Sequence, residues 1–230
     1  MKHLPLAIRE STWGSLVYAA KTSVAAGWAT PGVFATAIGP DYRPGSADAV
    51  FYVGKSGGPL VDSVGLCDEQ AASSAASTTW MVERKNPSAF WVFADLIARR
   101  ESMAWSNVSK IDTRHDGPPG MKQWSSIKSV CLKALAEELE YLSPGKTVFA
   151  VSSYQTDSIR GVLRALGFVE QHVQPELDSS TVFADVSGRL ALITRHPQGW
   201  RREPRNMVAS FIREWPVHEG GQATAIRIAS

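Results

Sequence analysis

Cysteine is nearly absent. The chain of 230 residues has only Cys67 and Cys131, far apart and in no C-x-x-C pair. That spacing excludes a disulfide framework and a thiolate zinc site. The five histidines are scattered, with no H-x-x-x-H pair. No apolar run approaches the length of a membrane span, and MKHLPLAIRESTWG has no sustained apolar core of a signal peptide. A reduced, cytoplasmic, monomeric protein without membrane contact is the expectation. No internal repeat occurs. Charge of one sign is also missing: 24 basic against 22 acidic residues leave +2. This excludes a globally basic nucleic-acid coat but leaves room for a local basic patch. Hydrophobic and charged contents of 44% and 20% are globular values, and eight tryptophans suit cores and base stacking alike.

The stretch Val50–Pro59, VFYVGKSGGP, organises what is present. Four apolar residues run into glycines, which reads as a buried strand delivering a loop. Glycine lets a ligand approach the backbone closely. Ligands of open α/β sheets bind outside the carboxyl ends of strands. Gly54, Lys55, Ser56, Gly57 and Gly58 are therefore candidates for the floor of a site. A plain Gly-Pro turn leaving a core strand is the structural alternative.

Other elements follow in order. Trp13 to Trp28 has helical spacing after Ser11 or Thr12, and residues 1–46 read as a helical arm or extension. Cys67–Thr79 reads as helical or mobile. Asn86-Pro87-Ser88 opens a helix with Phe90, Phe93, Leu96 and Ile97 on one face and Arg99-Arg100 in its last turn. Met103–Val108 is a second strand. Gln123–Leu142 is an amphipathic helix stopped by Pro144-Gly145. Thr147–Val151 is a third strand, ending in Ser152-Ser153-Tyr154, and Ser158–Leu166 is a helix. Thr181–Val186 and Arg189–Thr194 flank a hairpin signal at Ser187-Gly188. A last helix spans about Asn206–Trp215, and 216–230 reads as a tail. Strands alternating with helices predict an α/β sheet with helices on both faces. Several strands end in polar clusters, which converge on one edge if the strands are parallel.

Gly54-Lys55-Ser56-Gly57-Gly58 matches the G-x-S-x-G nucleophile elbow, with His196 late in the chain and Asp178 or Asp185 before it. Short matches of this kind arise by chance, and Pro59-Leu60-Val61-Asp62 does not open a helix. A Walker A loop needs glycine where Ala49 stands, which rejects a triphosphate loop. Asn107 ends an apolar strand; its amide can read a base edge or cap a turn. His196-Pro197 follows Leu190–Ile193, and its imidazole can donate to a developing oxyanion or sit in an ordinary loop. Arg195, Arg201, Arg202 and Arg205 cluster there with Trp200, which fits phosphate contacts or a solvated loop. Lys110, Arg114 and Lys122 add basic charge after the Asn107 strand.

The order of these motifs resembles the uracil-DNA glycosylase superfamily over about residues 48–215. Gly54–Pro59 is similar to its first motif. Gly65-Leu66 is similar to a Gly-Leu pair that often precedes a base-stacking aromatic, though none follows here. Pro87-Ser88 opens a helix, Trp105-Ser106-Asn107 ends a strand in the base-reading asparagine, and Thr194-Arg195-His196-Pro197 delivers the His-Pro loop that enters the minor groove. Many members carry an acid or asparagine in the first motif to position water; this chain has Lys55-Ser56. Gln198-Gly199-Trp200 stands where serine usually follows His-Pro.

The resemblance implies a three-layer α/β/α sandwich with a central, mostly parallel four-stranded sheet over residues 47–215. It implies N-glycosidic hydrolysis of a damaged or deaminated base in DNA, without a metal or other cofactor. His196, Asn107 and Ser56 would be catalytic. Gly54, Lys55, Gly57, Gly58 and Trp105 would form the base pocket, and Arg195, Trp200, Arg201 and Arg202 would hold the strand. A non-catalytic nucleotide- or nucleic-acid-binding member of the fold and a serine hydrolase using Ser56 and His196 are the competing readings.

Overall fold

A computed structural model gives the fold. It describes residues 6–56, 68–83, 88–114, 119–172, 177, 180–198 and 200–216. Gly57, Gly58, Pro59, Gly65, Leu66, Asn86, Pro87, Asp178, Gly199 and most of the C-terminal tail lie outside the described residues.

The protein is α/β. In chain order the elements are α1 (Glu10–Ala25), β1 (Ala37–Ile38), β2 (Val50–Gly54), α2 (Gln70–Glu83) and α3 (Ala89–Ile97). They continue with β3 (Met103–Asn107), α4 (Met121–Leu142), β4 (Lys146–Val151) and α5 (Ser153–Ala165). Last come β5 (Val169–Gln171), β6 (Thr181–Ala184), β7 (Leu190–Arg195) and α6 (Arg202–Glu214). The strands form one seven-stranded sheet in the order β1-β3-β2-β4-β7-β6-β5. Its centre, β3-β2-β4-β7, is parallel. β1 pairs antiparallel with β3, and β6 pairs antiparallel with both β7 and β5. The expectation of four strands is thereby corrected to seven. The two- and three-residue strands β1 and β5 are too short to carry a readable period.

A parallel strand covered on both faces reads as a continuous apolar run, and Val50-Phe51-Tyr52-Val53 is buried throughout. The pleat sends alternate residues to opposite faces. Phe51, Val53 and Phe149 pack in one core with Trp13 and Leu16 of α1, Ile127 and Leu135 of α4, and Ile159 of α5. Tyr52, Trp105 and Leu192 pack in the other with Met81 of α2, Trp91 and Phe93 of α3, and Val208 and Phe211 of α6. Truncating a fully buried leucine such as Leu135 to alanine costs about 2–5 kcal/mol.

The N-terminal segment shares this core. The Arg9 amide and the Thr12 hydroxyl donate to the Glu137 carboxylate of α4 at 2.9 and 2.8 Å. α5 begins at Ser153, five residues before the expected start. The polar run after β4 is the helix's first turn, with Ser152 at the N-cap. α3 ends at Ile97, and Ala98 is extended, so Arg99 and Arg100 lie beyond it. Arg100 instead clamps Asp95 at 2.7 and 2.8 Å and stacks on Trp91 at 4.7 Å.

Lys110 also departs from expectation. It is fully buried and adds no surface charge. Its ammonium holds both carboxylate oxygens of Glu138, at 2.6 and 2.5 Å, and bonds Ser106. Thr36 and Ser106 complete the carboxylate's shell. A buried charge stays only with such partners. No helix among the described residues is long and apolar enough to cross a membrane.

Candidate functional site

Parallel pairing aligns the strand ends in one row. Gly54 lies opposite Asn107 on one side and Ala150 on the other, and Ala150 lies opposite Thr194. The chain leaves β2 toward β3 and leaves β4 toward β7. The carboxyl ends of β2 and β4 thus form the switch point of the sheet, where open α/β sheets bind ligands. Beside this row a cavity of about 450 Å³ opens. Gly54, Lys55, Ser56, Asn107 and His196 line it together with aromatic side chains that include Trp105.

Glycine at position 54 answers a steric demand. A Cβ there would stand 2.5 Å from Asn107 Oδ1 and 3.1 Å from the Phe90 ring. The loop after it is anchored through its carbonyls. The Val108 amide donates to Gly54 O at 2.8 Å, and the Ser109 amide donates to Lys55 O at 3.1 Å. Gln155 Nε2, fully buried at the start of α5, donates to the same Lys55 oxygen at 3.1 Å. Gln155 thus ties the β4 end to the β2 loop. Its one signal in the sequence is a glutamine three residues after an N-cap serine. Among the described residues, the buried Ser56 hydroxyl and the buried Trp105 Nε1 have no hydrogen-bond partner. Unpartnered buried donors are uncommon and call for a specific explanation.

His196 follows β7. Its Nδ1 accepts from the Gln198 amide at 3.3 Å. The neutral ring therefore carries its proton on Nε2 and can donate it. Burial, and next the nearby Lys55 charge, push its pKa down to about 4. The imidazole is neutral at neutral pH. Its ring lies nearly parallel to Phe90, 15° apart with centroids at 5.8 Å.

Phe90 sits between His196 and Tyr52, whose ring is 4.3 Å away and whose hydroxyl donates to the Phe90 carbonyl at 3.1 Å. Trp80, Trp91 and Trp105 form a packed aromatic cluster in the cavity wall; Trp80 stacks on Trp105 at 5.2 Å, and Trp91 meets Trp105 edge-on at 4.9 Å. Phe90, Trp80 and Trp91 carry no site signal in the sequence. Phe90 follows the helical period of α3, which reads as its core face. It lies in the first turn, beside the strand ends, where an apolar residue can serve a pocket.

The basic residues divide. Arg195, Arg201 and Arg202 are exposed around the start of α6. Trp200 is not available to a strand. It is 8% exposed and packs edge-on against Phe93 at 5.3 Å, with Arg195 over its ring at 5.7 Å. Its apolar area anchors the loop to the core, and that burial corrects its placement on a binding surface.

The hydrolase arrangement lacks its acid among the described residues. Asp185 precedes β7 at the opposite end from His196 and holds the turn there, accepting from Ser187 and from Arg189 at 2.6 Å. Asp178 lies outside the described residues. Among the described residues no group of three or more His, Cys, Asp or Glu could hold a metal ion. None of the described residues lining the cavity is a carboxylate. Compared with known protein families and with curated proteins, the chain matches no family model and no curated sequence.

Proposed function

We propose that this protein is a uracil-DNA glycosylase-like enzyme, hydrolysing the N-glycosidic bond of a damaged or deaminated base in DNA. On this reading β3-β2-β4-β7 is the four-stranded sheet of that superfamily, and β1, β5 and β6 are additions. One observation carries the reading: Asn107, neutral His196 and Phe90 meet at a single cavity on the strand ends.

The target nucleotide leaves the stack and enters the cavity, at a cost of a few kcal/mol. The base stacks on Phe90, and the Asn107 amide reads its edge with one donor and one acceptor. The bond from C1′ to the base breaks, and its electron pair goes to the base. Positive charge develops on the sugar. The Nε2 proton of His196 donates to the carbonyl oxygen on which negative charge grows, and stays on the ring. Water then bonds to C1′ and releases its proton to solvent or the departed base. The Ser56 hydroxyl and the loop carrying it hold that water. Arg195, Arg201 and Arg202 hold the phosphates of the strand.

Oligonucleotides containing uracil, hypoxanthine or xanthine, in single and double strands, test this by base release. Release of at least one base is expected. Absence of release from every member overturns the enzyme reading.

The lack of a carboxylate among the described cavity residues favours a second reading, a nucleic-acid or nucleotide-binding protein that lacks the chemistry. It entails binding that weakens steeply with salt and no base release.

A further inference from the structure

We propose that the buried Lys110–Glu138 pair is a positioning device for the cavity: it closes the turn after β3 so that Asn107 and the Gly54-Lys55 loop stand in one fixed arrangement. The inference rests on reading the cavity as a glycosylase site.

Stability is a poor reason for this pair. Both side chains are fully buried. Removing two charges from water costs about what their attraction returns, and apolar residues of similar volume often hold a fold as well or better. Glu138 lies on the buried stripe of α4, among Cys131, Ala134, Leu135 and Leu142 at helical spacing. An apolar residue at 138 would continue that stripe. Apolar packing has no direction, however, whereas an ammonium bonds its acceptors along fixed ones.

That direction is spent on the strand end. Successive residues of a strand point to opposite faces. Asn107 lines the cavity, and Ser106 turns to α4, where its hydroxyl donates to Glu138 Oε1 at 3.0 Å. Lys110, four residues after Ser106, returns its ammonium to that hydroxyl and to both Glu138 oxygens, at 2.6 and 2.5 Å. Residues 106–110 are thus closed at both ends on one carboxylate. Asn107, Val108 and Ser109 lie inside the closure. The Val108 amide donates to Gly54 O at 2.8 Å, and the Ser109 amide donates to Lys55 O at 3.1 Å. Gly54 and Lys55 line the cavity with Asn107. One closure therefore sets the base-reading amide and the loop beside it together. The Thr36 hydroxyl bonds the same carboxylate, and the Phe34 amide donates to Lys110 O at 2.8 Å, which fastens the turn to the chain before β1. Lys110 and Glu138 do not line the cavity, so they act through Asn107 and the loop.

The full chain carrying Lys110→Met/Glu138→Leu separates positioning from a purely structural role. The urea midpoint should stay near that of the wild type. Base release should show kcat lower by about tenfold or more with KM little changed, the signature of a misplaced reacting group. Hydrogen exchange at the Val108 and Ser109 amides should be about tenfold or more faster, while the amides of β4 and β7 keep their protection. Ser106→Ala keeps the ion pair and cuts its tie to the strand. It should show the same local pattern, and it carries the test if the double variant does not fold. Wild-type kcat in the folded variants overturns the inference. So does unchanged exchange at Val108 and Ser109, or faster exchange spread evenly over the sheet; the glycosylase reading stands in each of these cases if the wild type releases a base. No release by the wild type overturns the glycosylase reading instead, and local exchange then decides the positioning role by itself.

Discussion

Gly54→Ala is the sharpest perturbation of the site. The new Cβ would stand 2.5 Å from Asn107 Oδ1 and 3.1 and 3.2 Å from two Phe90 ring atoms. The backbone cannot retreat, because Gly54 is paired with Asn107 on one side and Ala150 on the other. Either the Asn107 amide or the Phe90 ring must shift. Overpacking of this kind costs about 1–3 kcal/mol. At roughly 2–4 °C per kcal/mol for a chain of this size, the melting temperature should fall by about 2–12 °C. Thermal unfolding followed by circular dichroism reads the stability, and single-turnover base release reads the site. Adding Asn107→Ala removes the nearest obstacle. The double variant should then be less destabilised than the two single changes summed, by about 0.5–3 kcal/mol. Unchanged melting and unchanged release in Gly54→Ala refute the close approach. Strict additivity in the double variant refutes the assignment of the clash to Asn107.

Three further outcomes are expected. Lys110→Met leaves the Glu138 carboxylate buried and unpaired, so urea denaturation should show a loss of about 3–5 kcal/mol, much of it recovered in Lys110→Met/Glu138→Leu. His196 has a folded pKa of about 4, below its ordinary 6.5, so the stability from keeping it neutral is complete above 6.5 and is lost as pH falls through about 4. Base release should hold level below neutrality and fail only near pH 4, and Lys55→Met should move that limb upward by removing the second cause of the shift. Gln155→Leu removes the side-chain bond to the Lys55 carbonyl; base-release kinetics should show kcat falling by about tenfold with KM little changed, if the loop acts on the reacting sugar.

Much of the sheet was legible because its signals are local. Val50–Val53 is apolar without interruption, and α4 repeats Ile127, Leu135 and Leu142 on one face over six turns. Gly54, Asn107 and His196, each at or just past a strand end, line one cavity; Ser152, Ser153 and Tyr154 after β4 do not. What escaped depends on partners distant in sequence. Lys110 reads as surface charge until Glu138, 28 residues on, is folded against it. Trp200 sits among arginines, yet Phe93 takes its ring. Phe90 keeps the period of its helix but serves the pocket, because periodicity cannot tell a core face from a cavity wall. β1 has only two residues, and its pairing with β3 is visible only in space.

The central claim is that Asn107 and His196 act together at one cavity to release a base. Single-turnover base release by the wild type, Asn107→Ala, His196→Ala and the double variant tests it most directly. Each single change should slow release by about 10²–10³-fold, with the melting transition still cooperative. The double variant should lose little more than the worse single, since both act on one departing base. Wild-type release that survives both substitutions at full rate contradicts the claim.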